Sequence, residues 1–270
     1  MRKIQISKYY YNVILSLSFL LLEITTTTAF TQVSTAQKLP TQNMTNTNNL
    51  VSKQIRFKPP KTGAPTNRTG GASRRGDTCN TNNKSLKALL PENNFGLTIE
   101  EYPTFFVYIP ASSAHLIEFE LYEQDANEPL YKTIFKVPDA PGIVSFSLPN
   151  NQTLLPLEVG KNYRWFLSLK CNLQDSSENL YVQGSVQRIQ PNTNLMRQLE
   201  KATPRDRLNI YAQAGIWHDT LTKLAELRRA HPDDKTLATD WTQLLESVGL
   251  NQVANAPIVY STSVKASVAP

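Results

Sequence analysis

Cys79 and Cys171 are the only cysteines in the chain, and both lie downstream of an apparent export leader. Most of a strand-rich block runs between them. Two thiols in an oxidising compartment permit one intramolecular pairing, so the spacing predicts a single disulfide stapling a small β domain. Closing a loop of that length contributes about 4–5 kcal/mol by chain-entropy reasoning. Two free thiols, or a bridge between chains, are the alternatives.

The leader is read from the first residues. Arg2, Lys3 and Lys8 form a positive start, Val13 to Leu22 is apolar except for serines, and Glu23 closes the run. Small-residue exits follow around Ala29 or Ala36, which predicts a signal peptide over 1–36. The apolar run is about a dozen residues, short of the ~20 that cross a bilayer; an uncleaved anchor is the alternative. No later segment is apolar enough to span, so the mature chain is expected to carry no membrane span. The formal charge of +6 is mild and scattered. It leaves no electrostatic footprint for nucleic acid, and Arg74-Arg75 and Arg228-Arg229 read as solvated surface.

Composition then divides the chain. Residues 37–78 are rich in Thr, Asn, Gln, Pro and Gly, with too little to bury to offset the entropy of ordering, which predicts a disordered polar spacer. Within it Ile55-Arg56-Phe57 is a candidate short strand. Arg75-Gly76-Asp77, a tripeptide of integrin ligands, reads as a loop leading into Cys79.

Over 79–190 the apolar residues alternate with period two between Pro, Gly and Asn clusters. Ile117, Phe119 and Leu121 share one face, and Glu118, Glu120 and Tyr122 share the other. Tyr163, Trp165, Leu167, Leu169 and Cys171 likewise fall on one face. About six or seven such strands with no helix between them predict an antiparallel, Ig-like β-sandwich. The order of Trp165 and its core cysteine differs from that of antibody domains.

From 191 to 250 the period becomes helical. Thr203 caps a helix with Pro204 at its first position, Gly215-Ile216-Trp217 breaks it, and further helices carry Leu221, Leu224 and Leu227, then Leu237, Trp241, Leu244 and Leu245. Tyr211-Ala212-x-Ala214-Gly215-x-Trp217-x-Asp219-x-Leu221 resembles one tetratricopeptide-like (TPR-like) helix pair. One repeat is too few for a groove, so a helical cap on the sandwich is expected. Residues 251–270 read as a flexible tail. The fold class is therefore α+β.

No convergent catalytic set is visible. His115, His218 and His231 are widely separated, and His218 beside Asp219 suggests a base with an orienting acid only if neighbours on one helix faced each other, which they do not. Glu100-Glu101 point to opposite sides of an extended segment. Asp125-x-Asn127 starts like a calcium loop but runs into Pro129, so it reads as a hairpin tip. Cofactor and metal ligands are expected to be none. The strand tyrosines Tyr108, Tyr122, Tyr131 and Tyr181 form a candidate interaction surface, with core filling as the competing explanation; Tyr163 belongs to the buried face.

Several motifs together resemble a known family. Arg75-Gly76 before Cys79, Leu89-Leu90-Pro91, Gly96-Leu97-Thr98 and Pro103-Thr104-Phe105-Phe106-Val107-Tyr108-Ile109-Pro110 are similar to the start of domain of unknown function 928. Gly142-Ile143-Val144-Ser145, Gly160-Lys161-x-Tyr163-x-Trp165, Val182-x-Gly184-x-Val186-x-Arg188 and Ala214-Gly215-Ile216-Trp217 continue the likeness over about 75 to 250. Phe105-Phe106 departs from it where a Trp is expected in the aromatic run. The resemblance implies an exported, cyanobacterial protein and supplies no catalytic or binding residues. The expectation is a non-catalytic exported module, periplasmic or extracellular, that binds an envelope protein partner. The alternative is a carbohydrate- or envelope-polymer-binding sandwich using exposed strand aromatics.

Overall fold

The computed structural model describes residues 55–61, 68, 69 and 79–260. The leader, most of the spacer, Arg74-Arg75, Arg75-Gly76-Asp77 and residues 261–270 lie outside the described residues. Among the described residues nine strands form two sheets. The first has the order β1 (Lys87–Ala88), β3 (Thr104–Ile109), β6 (Gly142–Ser147), β9 (Ile258–Tyr260). The second has the order β2 (Phe95–Thr98), β8 (Leu180–Arg188), β7 (Asn162–Lys170), β4 (Leu116–Glu123), β5 (Tyr131–Lys136).

The alternating residues explain why the sheets meet face to face. Ile117, Phe119 and Leu121 of β4 are fully buried, as are Leu167 and Leu169 of β7. Phe105 of β3 places its ring 5.3 Å from both Phe119 and Trp165, and Phe146 of β6 comes within 4.4 Å of Phe119. Trp165 stands opposite Gly184 in the β7–β8 register. A Cβ at Gly184 would lie 2.7 Å from the indole and would also collide with Leu90, so the glycine is what lets the indole rest on the β8 backbone.

The cysteines are joined, with Cα atoms 5.1 Å apart. Cys79 is fully buried, and Cys171, just past the end of β7, is half-buried against the core. The bond fastens the chain before β1 to the end of β7, and the Cys79 carbonyl also accepts from the Ser113 amide at 2.8 Å.

Four helices follow β8: α1 (Thr193–Lys201), α2 (Pro204–Gln213), α3 (Trp217–Ala230) and α4 (Lys235–Glu246). Asn192, Thr203 and Asp234 cap α1, α2 and α4 through their side chains, while Ile216 before α3 offers none. Asp206 accepts from the Thr203 hydroxyl at 2.7 Å. Gly215, at φ +73, reverses the chain between α2 and α3 in a conformation that suits glycine. α3 packs against β2 of the five-stranded sheet and β3 of the four-stranded one, and Trp241 of α4 meets Phe106 of β3 edge-on at 6.0 Å. The Trp217 indole donates to the Leu89 carbonyl at 2.7 Å.

Three expectations need correction. The sandwich is not wholly antiparallel, because β2 runs parallel to β8 and β9 parallel to β6. Both strands reach their partners by long crossovers, and a period-two pattern carries no direction. The stretch 251–270 is not all tail: Val253 and Ala254 are buried, and Ile258-Val259-Tyr260 completes the first sheet, with Pro257 O accepting from Ile143 N at 2.8 Å. The sandwich therefore does not close at 190. The helices sit between two of its strands in sequence. Part of the expected spacer is also packed. Ile55 is buried, Phe57 lies 4.7 Å from the Trp217 ring, and the Lys58 amide donates to Ala212, although residues 55–57 form no strand.

Gly184→Ala is expected to destabilise the fold by about 1–3 kcal/mol through overpacking, read from the urea midpoint. Replacing both cysteines by serine removes a cross-link spanning 92 residues and is expected to cost about 4–5 kcal/mol, read in the same assay.

Candidate functional site

α3 packs on β2 and β3, and no helix among the described residues packs on the outward side of β4, β5 and β7. Register orders that surface into rows. Ile134, Glu118, Ser168 and Tyr181 form one, and Lys132, Glu120, Phe166 and Gln183 the next. Tyr122 beside Arg164 begins a third. Ile134 and Tyr181 are 46% and 53% exposed, large apolar area to leave open.

The centre of this face is prearranged. Tyr122 and Phe166 meet edge-to-face at 5.6 Å, and the Arg164 guanidinium lies over both rings at 5.7 and 5.9 Å. One Arg164 Nη donates to the Ala126 carbonyl at 2.9 Å, which holds the cation in place. Charges on the face are matched internally. Glu118 takes Lys132 at 2.9 Å and Lys170 at 2.5 Å, and Glu120 takes Lys132 at 2.8 Å. Burial pushes the Glu118 carboxyl up, yet the hydrogen bonds from Lys170 and Lys132 outweigh it and leave the pKa below its ordinary value. What remains is an aromatic surface with a neutralised ionic margin.

The four predicted tyrosines separate. Tyr122 and Tyr181 share this face. Tyr131, opposite Leu121, turns to the inner side, 6.4 Å from Phe119 at the mouth between the sheets. Tyr108 belongs to the other sheet, half-buried opposite Lys87 and Ile143. Phe166 and Arg164 were not singled out from sequence, although their signal was present: they alternate with the buried Tyr163 and Trp165.

His218 and Asp219 open α3, and both are buried. The His218 Nδ1–H donates to the Thr104 carbonyl at 3.1 Å, which leaves Nε2 as the unprotonated nitrogen. That nitrogen meets no hydrogen-bond partner and faces Gly96, where a Cβ would approach to 2.5 Å. The Phe105 ring stands 5.1 Å away. Burial pushes the imidazole pKa down to about 4. Asp219 turns instead towards Thr98 and Ile99. Burial pushes its carboxyl up to about 7, with the Glu100 charge adding to the rise and the Thr98 hydroxyl opposing it. Neither carboxyl oxygen reaches a partner in hydrogen-bonding geometry, so no bond joins the two side chains and they do not form a base with its orienter. His218 and Asp219 themselves line a pocket of about 170 Å³ with Thr98, Glu100, Lys223 and Glu226, although the Asp219 oxygens and His218 Nε2 are buried. His115 is exposed beside a separate cavity with Lys136 and Asp139, and His231 is exposed at the end of α3. Among the described residues no three His, Cys, Asp or Glu side chains are grouped to hold a metal ion.

The profile of a family described as Domain of Unknown Function (DUF928) matches residues 69–258. The chain belongs to that family. No curated protein matches it.

The buried pair makes a pH prediction. Folded His218 stays neutral down to about 4, whereas unfolded it takes a proton near 6.5, so lowering the pH through that window costs stability. Folded Asp219 keeps its proton up to about 7, whereas unfolded it loses it near 3.8, so raising the pH costs stability. Between about 4 and 6.5 the two terms cancel. In Asp219→Asn the histidine acts alone, and relative to wild type the unfolding constant should rise about tenfold per pH unit lowered. His218→Gln should show the opposite slope. Urea titrations across the window check this; profiles parallel to wild type in both variants would refute it.

Proposed function

We propose that this DUF928 protein is a non-catalytic, exported binding module of the cell envelope that takes a protein partner on the open face of its five-stranded sheet. The observation that carries the reading is the Tyr122–Phe166–Arg164 cluster continuing into exposed Tyr181 and Ile134 on a face that no helix among the described residues covers. Anchored aromatics and arginine are the residue types that dominate protein interfaces. Export is supported by the N-terminal charge-then-apolar pattern and the disulfide, a bond that persists in oxidising compartments. No helix among the described residues is long and apolar enough to cross a membrane. The absence of catalysis is supported by His218 and Asp219, which are buried and unconnected.

The finer architecture belongs to the same proposal. We read the two sheets as an Ig-like sandwich. The α2–α3 pair reads as one TPR-like unit, because successive helices pack on one another from α1 to α4. It would brace the sandwich rather than form a groove. The signal peptide over 1–36 would be removed on export.

The glycan reading has Tyr181 in its favour, an open ring beside Gln183 and Ser168. It is the weaker reading, because sugars stack on bare ring faces and Arg164 lies over both Tyr122 and Phe166.

Captured from envelope extract by the immobilised wild type, a discrete partner should be lost with Tyr181→Asp by about thirtyfold or more, the size of an aromatic hot spot. Leu155→Asp, at an exposed loop position, should leave capture intact. Retention of the partner by both Tyr181→Asp and Tyr122→Ser would overturn the reading. Sedimentation with peptidoglycan that depends on Tyr181, without protein capture, would replace it with the glycan alternative.

A further inference from the structure

The edge strand β5 adjoins the open face, and its outer backbone edge has no neighbour among the described residues. Its register shows which groups are free. Val137 N donates to His115 O at 3.0 Å, extending the pairing in which Leu121 opposes Tyr131 and Ile117 opposes Phe135. In an antiparallel ladder, hydrogen-bonded pairs alternate with pairs whose amides point away. Tyr131, Thr133 and Phe135 therefore bond to β4, and the N–H and C=O groups of Lys132, Ile134 and Lys136 point outward.

Under this edge a groove of about 490 Å³ opens between the sheets. Tyr131 and Phe135 of β5 and Phe146 of β6 line its apolar part, and Asn150, Asn151 and Arg229 stand at its margin. On the other side of the strand Leu130 and Ile134 are each 46% exposed. We propose that β5 accepts an extended peptide segment of the protein partner as an added strand, with alternate apolar side chains entering the groove and an acidic residue facing Lys136. The inference rests on the preceding reading that the ligand is a protein, and adds the mode and chemistry of recognition.

Charge selects the occupant. Lys136 is exposed and makes no ion pair among the described residues. A second copy of β5, paired antiparallel about Ile134, would set Lys136 opposite Lys132, whose glutamates already balance the charge there, and so would offer Lys136 no anion. An unpaired edge lysine thus disfavours self-association while admitting an acidic strand. An added strand gains affinity from its main chain and specificity from alternate pockets.

The probe is an N-acetylated octapeptide of alternating valine and glutamate, compared with its valine–lysine counterpart, against the full-length protein. The glutamate peptide should bind with a dissociation constant below about 1 mM, slow amide exchange at Ile134 and Lys136, and exceed the lysine peptide by about tenfold or more. Ile134→Pro removes one outward donor without touching the β4 ladder and should abolish binding. Lys136→Glu should invert the peptide preference even if the proline variant misfolds. Equal binding of both peptides, or binding with no protection at Ile134, overturns the proposal, as does a concentration-dependent dimer that protects the same amides. A peptidoglycan fragment that protects them in place of peptide overturns it as well. Tyr181-dependent partner capture without peptide binding would sink this inference alone and leave the broader reading standing.

Discussion

Phe105 is the contact on which the rest is built. Its ring touches Phe119 and Trp165 of the opposite sheet, Phe146 of its own, and His218 from the helices. One side chain thereby joins both sheets and α3. A dry aromatic centre of this kind supplies burial and ring contacts beyond area alone, and it dictates the chemistry around it. An imidazole held against such a ring with one carbonyl partner has little reason to carry a proton. The neutrality of His218 is thus a consequence of core packing.

The same centre explains which parts of the fold were legible from sequence. The strict alternation in β4 and β7 exists because one side meets Phe105 and Phe146 while the other meets water, so strand, face and the Cys171 side could be read directly. The helices were legible from Thr203-Pro204 and the Gly215 break. β2 and β9 were not. Gly96 is shaped by His218, which is 122 residues away in sequence, and Ile258-Val259-Tyr260 is too short to announce a strand without the β6 edge it joins. Ile55 and Phe57 gave a faint signal inside a polar stretch, since two apolar residues acquire meaning only from the Trp217 they cover.

The candidate surface divides along similar lines. Tyr122 and Tyr181 could be placed outward by parity with Leu121 and Val182. Tyr131 follows the opposite parity because β5 pairs it with Leu121, a relation that only register supplies. Arg164 could be placed outward by parity with Trp165, but its role lies in the two rings beneath it, which register brings together. His218 and Asp219 show a second source of perturbed groups besides function: their shifts arise chiefly from enclosure.

The placement of β9 has a wider effect. Because the chain leaves the sandwich after Arg188 and re-enters it at Ile258, the four helices are a closed loop tethered at both ends. Fraying them also frees a strand from β6, and losing that strand releases the helices in turn. Such mutual dependence merges two visibly different layers into one cooperative unit, so heat or denaturant should meet a single melting transition rather than a detachable module shed before its scaffold.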